Sequence, residues 1–227
     1  MVWAFGVAAF ISRPWRHFDL ITTLGIDFAF LHVMNYKNFT PLKTWFLQVS
    51  FWVGYTVLLP AQDNHQIWTQ LLTIHLSESG KVDYKGFIRD SQLLNKYLIS
   101  LANNPPQSAW DAEHAKAYWI NAYNAFTVQL IIRHYPVKSI KEIGCRIPLV
   151  NSPWDIKFIR IGNELMDLNH IEHSILRKKF SDPRLHMALV CASRSCPALH
   201  REAFEPTRLT QQLDFVTKKF LSDPFRN

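Results

Sequence analysis

Glycine is scarce in this chain, seven in 227 residues against twelve prolines. Turn-rich β architectures lean on glycine for tight and left-handed turns, so this balance argues against a β-sandwich. It suits helices separated by proline-punctuated connections. Cysteine is scarcer still. Cys145, Cys191 and Cys196 contain no CxxC pair and leave no second pair at zinc spacing, so no structural zinc site and no other metal site is expected. Basic residues interleaved with glycines or aromatics are missing too. The formal net charge is +7, but the one dense basic run, Arg177-Lys178-Lys179, reads as a solvated face. No nucleic-acid partner is expected from it. Nothing points to a cofactor, and there is no internal repeat and no low-complexity tract.

What is present is ample apolar material. Hydrophobic residues make up 48% and aromatics 14%, which is enough for a core and excludes a disordered chain.

The first sixty residues differ from the rest. Thr44 to Leu59 reads TWFLQVSFWVGYTVLL, without a charge, and no acid lies between Asp27 and Asp63. As a helix this run would span about 24 Å at 1.5 Å per residue. That is short of the roughly 20 residues a membrane span needs. Lys37 and Lys43 precede it and Pro60-Ala61-Gln62 follow, which are the parts of a secretory signal starting at Met34. Residues 1–33 then read as an upstream extension, 34–62 as signal peptide or membrane anchor, and 63–227 as the globular domain. An uncleaved anchor over 44–59, or a hairpin of two membrane segments, is the rival reading. No cysteine follows the run, so a lipoprotein anchor is not expected. On either reading the domain is exported, periplasmic or extracellular, and meets a membrane only through this N-terminal segment. Disulfides persist there, and Cys191 and Cys196 would pair across a short loop, leaving Cys145 odd.

Ile67, Trp68, Leu71, Leu72 and Leu76 recur at helical spacing until Ser77-Glu78-Ser79-Gly80 interrupts them. Lys81 to Tyr84 is a short extended piece, and Leu93 to Leu101 is helical again up to Asn103-Asn104-Pro105-Pro106. Ala112 to His134 then runs unbroken behind a capping pattern at Ser108 to Asp111 and stops before Pro136. Ile120, Asn121, Asn124, Val128 and Ile131 share one face; Trp119, Tyr123, Phe126 and Leu130 share another. A helix apolar on both sides belongs in the middle of its domain. Its two asparagines must then find buried partners.

Ile156 to Ile161 alternates like a strand, and Gly162-Asn163 turns it into Glu164-Leu165. Asp167 or Asn169 caps a helix from His170 to Phe180. Leu185 to Val190 is an apolar run of strand length and reads as a buried strand. A last helix starts near Thr207. The expected class is α+β: a long buried central helix, flanking helices, and a small, mostly antiparallel sheet built from 156–166 and 185–190.

Three strings carry a resemblance: AYWINAYNAFTV at 117–128, LNHIEHSILR at 168–177 and DPRLHMALVCASRSCPAL at 182–199. In this order, with Ser139-Ile140 between the first two, they resemble the signature blocks of the domain of unknown function 547 family. The resemblance runs from about Ile67 to the last residue. Members of that family continue past FLSDP through another helical stretch to a YDW-like motif, so the resemblance implies a domain incomplete at its C-terminus. The family has no settled activity, and what it implies is a fold.

Four residues are candidates for chemistry. At about 100° per residue, Glu172 lies inside the apolar arc of Leu168, Ile171, Ile175 and Leu176, with His170, His173 and Arg177 opposite. A carboxylate on a core face must be paired or protonated, and Arg184 and His186 are the nearest candidates by sequence. Either a buried ion pair or a Glu172–His186 dyad orienting a general base would satisfy it. Cys191 is a small buried hydrophobe, half of a disulfide, or a thiol nucleophile. Along a regular strand His186 and Cys191 would face opposite sides and could not form a nucleophile–base pair. His170 and His173 in HIEH lack a third ligand for a metal. Asn121 and Asn124 read as ties between the central helix and its neighbours, with an oxyanion donor as the catalytic alternative for Asn121.

Two functions follow. One is a hydrolase or acyl transferase with a thiol or histidine site at Cys191, His186, Glu172 and Asn121. The other is a non-catalytic binding or scaffold domain in which the same residues only hold the core; the substrate of the first or the protein partner of the second is unidentified. A catalytic set should line an open cleft, whereas a structural set should be buried and mutually satisfied. The N-terminal reading predicts a mature protein beginning near Gln62 or Asp63. N-terminal sequencing of exported protein checks it, and soluble chains still beginning at Met1 or Met34 would refute it.

Overall fold

The computed structural model describes residues 65–144, 152–192 and 196–224. The proposed signal segment 34–62, its apolar run and Cys145 lie outside the described residues. Among the described residues no helix is long and apolar enough to cross a membrane.

Amphipathic spacing produces the first elements. Helix α1 (Gln66–His75) buries Trp68, Leu71, Leu72 and His75. Helix α3 (Ser91–Asn103) buries Leu94, Tyr97, Leu98 and Leu101, and the two pack together. Trp68 stacks on Tyr97 with ring centroids 5.8 Å apart. Between them the short helix α2 (Tyr84–Arg89) is capped by Asp83, whose Oδ1 accepts from the Gly86 N–H at 3.0 Å. Leu76 and Val82 form an isolated antiparallel bridge, which is the extended piece expected there.

Helix α4 (Ala112–His134) is the centre of the domain. Asp111 caps it by accepting from the His114 N–H at 2.8 Å, and Tyr135 leaves it extended ahead of Pro136. Every residue from Ala117 to Ile131 is buried, so both of its faces are covered, as the doubly apolar pattern requires. Helices α2 and α3 pack against it, and so do the π helix and a 3₁₀ turn described below.

Beyond α4 come the short helix α5 (Lys141–Gly144), a 3₁₀ turn (Pro153–Asp155) and a hairpin of β1 (Ile159–Ile161) and β2 (Glu164–Met166). The strands are antiparallel, with Ile159 opposite Met166 and Ile161 opposite Glu164. Gly162 supplies the left-handed turn at φ +57°, and its N–H donates to the Ala102 carbonyl at 2.7 Å, tying the hairpin tip to the end of α3. Asp167 starts the next element by accepting from the His170 N–H at 2.7 Å. That element is a π helix (His170–Leu176) running into α6 (Arg177–Lys179). Next come α7 (Leu185–Ala188), a 3₁₀ turn (Pro206–Arg208) and the final helix α8 (Leu209–Leu221), which packs on α7.

The protein is therefore α+β, mostly helical with a small antiparallel sheet. The sheet is smaller than expected, because Leu185–Val190 does not join it. Its first four residues coil into α7, and only then does the chain become extended at Leu189. Asp182 sets that turn, with its Oδ1 accepting from the Arg184 N–H at 3.1 Å and its carbonyl accepting from the Leu185 N–H at 3.2 Å. The backbone that follows is paired by a side chain of α4, so it has no need of a strand partner.

His65, at the head of α1, accepts or shares the Tyr97 hydroxyl proton at 2.7 Å and is buried. Burial pulls its pKa from 6.5 down to about 4. The folded state thus prefers the neutral ring. Its contribution is complete above the unfolded value of about 6.5 and is lost as pH falls toward about 4. That shift corresponds to about 3 kcal/mol at full protonation. Chemical denaturation at pH 7 and pH 5 should show a clear loss of stability in the wild type. The loss should be smaller in His65→Gln, and an equal loss in both would refute the assignment.

Candidate functional site

The two asparagines of α4 show what the buried polar residues do. The Asn121 Nδ2 donates to the Phe204 carbonyl at 2.9 Å, and its Oδ1 accepts from the Phe204 N–H at 2.9 Å. One helical turn on, the Asn124 Nδ2 donates to the Ala188 carbonyl at 2.9 Å and its Oδ1 accepts from the Val190 N–H at 3.0 Å. Gln212 of α8 repeats the motif, taking the Glu205 N–H at 2.8 Å and giving to the Ala203 carbonyl at 2.9 Å. Each amide presents a donor and an acceptor side by side, as a neighbouring strand would. Asn121 is wholly buried. One N–H and the carbonyl oxygen of its amide are both committed to Phe204.

Glu172 is the second focus. Its side chain is 13% exposed, and its Oε1 accepts from Arg177 Nη2 at 2.9 Å. Arg177 was expected on the opposite side of this helix. The π geometry brings it round: hydrogen bonds here run from residue i to i+5, and the Arg177 N–H donates to the Glu172 carbonyl. Residues five apart thus lie one above the other. From α4, the buried Tyr123 phenol lies close enough to Glu172 to feel its charge. Burial, then the charge of Glu172, push the phenol far above its usual range, so it stays protonated. Sequence reasoning missed both Tyr123 and Arg177. Tyr123 carried a signal, as a phenol on a buried helix face; Arg177 carried none at α-helical periodicity.

His186 joins at the rim. Its Nδ1 lies 3.0 Å from Arg177 Nη2 and 3.7 Å from Glu172 Oε1, and the side chain is 57% exposed. Because guanidinium only donates, Nδ1 accepts, and the ring proton sits on Nε2. Arg184, the other expected partner of Glu172, is held elsewhere. It grips Asp182 at 2.7 Å and 3.0 Å and reaches Asp214 of α8 at 2.6 Å. Those bonds to Arg184 hold the Asp182 carboxyl below its usual range.

Cys191 and Cys196 are joined as a disulfide, with Cα atoms 6.0 Å apart, inside the span such a bond requires. Ala192, directly after Cys191, has a left-handed backbone at φ +53°. The structure therefore brings Glu172 and His186 together, adds Tyr123 and Arg177, caps Cys191 with Cys196, and commits Asn121 to Phe204. Among the described residues, no group of three or more His, Cys, Asp or Glu is placed to hold a metal.

A second polar cluster carries a partly buried histidine. His200 Nε2 lies 3.4 Å from Glu202 Oε1, and Glu202 also takes Arg208 at 2.9 Å. Burial lowers the His200 pKa, with Glu202 opposing that shift. The bonds from Arg208 hold Glu202 below its usual range.

A small α+β domain built round one buried helix, with its polar residues spent on internal pairing, is the class this architecture defines. The model of the DUF547 family, proteins of unknown function, matches residues 107–221, and the chain belongs to that family. The match holds α4, the hairpin, the π helix and all three cysteines. It starts after α1 to α3, later than the resemblance at Ile67 implied. Neither a curated protein nor a solved structure matches the chain.

The Glu172 pairing predicts a non-additive pair of mutations. Glu172→Ala removes the carboxylate beside the buried Tyr123 hydroxyl and should cost about 1–3 kcal/mol. Adding Tyr123→Phe removes that hydroxyl as well, so the double variant should lose less than the sum of the single variants. Urea denaturation of the four proteins checks this, and strict additivity would refute the pairing.

Proposed function

We propose that this domain is a non-catalytic binding or scaffold module working outside the cytoplasm. The observation that carries the reading is the saturation of its polar constellation. Asn121, Asn124 and Gln212 pair with backbone, Glu172 with Arg177, and Cys191 with Cys196. A catalytic set keeps a reactive atom free at an open cleft; the pairing of Asn121, Glu172 and Cys191 within the protein supports the binding reading, with His186 exposed at the rim. The disulfide supports export, because such bonds persist in oxidising compartments.

One observation favours a thiol hydrolase or acyl transferase as the second reading. Ala192 holds a strained left-handed conformation beside Cys191, and such strain gathers at functional turns. Reduction would release the Cys191 thiol there, with His186 at the surface of α7.

The two readings separate in one assay. Oxidised and reduced protein are offered activated ester, thioester and amide substrates beside Cys191→Ser. The binding reading expects turnover at the control level in both redox states. Turnover that appears on reduction and vanishes in Cys191→Ser would establish the thiol enzyme instead.

A further inference from the structure

The disulfide joins two chain segments that are each fixed to the core without it. On one side Val190, next to Cys191, gives its N–H to Asn124 Oδ1 at 3.0 Å, and Asn124 also holds the Ala188 carbonyl. On the other side Cys196 is followed by Leu199, Ala203 and Phe204, all buried. The Ala203 N–H donates to Thr69 Oγ1 of α1 at 3.0 Å, and Phe204 is held by Asn121. Opening the bond leaves each of these anchors in place.

Two features make this bond a poor staple. Its cysteines are five apart in sequence, and cross-linking so short a stretch removes little freedom from the unfolded chain. Ala192, the first residue inside the cross-link, stands at φ +53°, and no other non-glycine among the described residues has a positive φ. A left-handed backbone brings the alanine Cβ close to the following carbonyl oxygen, so the turn is held at a cost. Reduction lets Ala192 return to the negative φ that it prefers. A disulfide whose closed form carries such strain is the more readily reduced.

The two cysteines are not equally open. Cys196 is buried, whereas Cys191 is only half-buried, so an incoming thiolate reaches Cys191 first. We propose that Cys191–Cys196 is a redox switch opened by a dithiol, which relaxes the turn at Ala192 while the anchored core stays folded. A thiolate of the dithiol attacks Cys191 Sγ and forms a mixed disulfide there, and Cys196 leaves as a thiolate that takes up a proton. The second thiol of the donor then closes the donor's own disulfide and releases Cys191. Two electrons and two protons pass from the dithiol to the protein. The switch goes beyond the binding-module reading and stands apart from it, since turnover by a released Cys191 thiol would leave the exchange intact.

The test equilibrates the full chain with graded ratios of reduced to oxidised dithiothreitol, traps thiols by alkylation and maps each cysteine by mass spectrometry. The bond should open reversibly without denaturant, and the reduced protein should keep its far-UV circular dichroism and a cooperative urea transition. Glycine accepts the left-handed backbone, so Ala192→Gly folds and removes the strain from the closed form. It should shift the equilibrium roughly fivefold toward the disulfide. A brief pulse of reduced glutathione should leave its mixed disulfide on Cys191. Reduction only in denaturant, loss of cooperative unfolding on reduction, an unchanged equilibrium in Ala192→Gly, or glutathione captured on Cys196 would each overturn the proposal.

Discussion

The domain depends on a helix buried on all sides having to supply hydrogen bonds to chain segments that reach it without a sheet. Helix α4 cannot offer its own backbone groups, which are spent within the helix. It offers the side-chain amides of Asn121 and Asn124, and each clamps one extended segment, at Phe204 and at Ala188 to Val190. Gln212 of α8 does the same for the residues beside Phe204. Removing an amide would strand two buried backbone groups at once. Such orphaned groups cost about 1–3 kcal/mol each, more than the net worth of a paired bond.

The π helix sets the second constraint. By shifting the ladder from i+4 to i+5, it places Arg177 over Glu172 and lets one guanidinium nitrogen serve both Glu172 and His186. The π helix packs on α4, where the buried Tyr123 phenol feels the charge of Glu172. The outcome is a gradient, from the buried phenol through Glu172 to an exposed imidazole. The disulfide does for Cys191 what Arg177 does for Glu172, satisfying within the protein a group whose chemistry would otherwise be available.

Much of this is legible in the sequence for definite reasons. The 112–134 helix is long, capped by Asp111 and stopped ahead of Pro136, so three independent signals agree. Gly162-Asn163 marks the hairpin because few residues accept its left-handed turn. Asn121 and Asn124 stand out as amides on apolar faces. Leu185–Val190 is harder: a short apolar run fits a strand and a buried turn equally well, and Asp182 decides between them through contacts that periodicity does not register. The partner of Glu172 is harder still, because a helical wheel assumes 3.6 residues per turn and the π helix does not keep to it.

The sequence by itself determined the class of the domain, the position of its central helix and the need of its buried amides and carboxylate for partners. Those conclusions rest on local propensity, periodicity and the cost of burying polar groups, all of which act along the chain. Only the tertiary structure decided who the partners are. Phe204 meets Asn121 across 83 residues and Val190 meets Asn124 across 66, while Asp90 meets His75 from a neighbouring helix. Hydrogen-bond partners are chosen by distance and angle after packing, and chain separation carries almost none of that information.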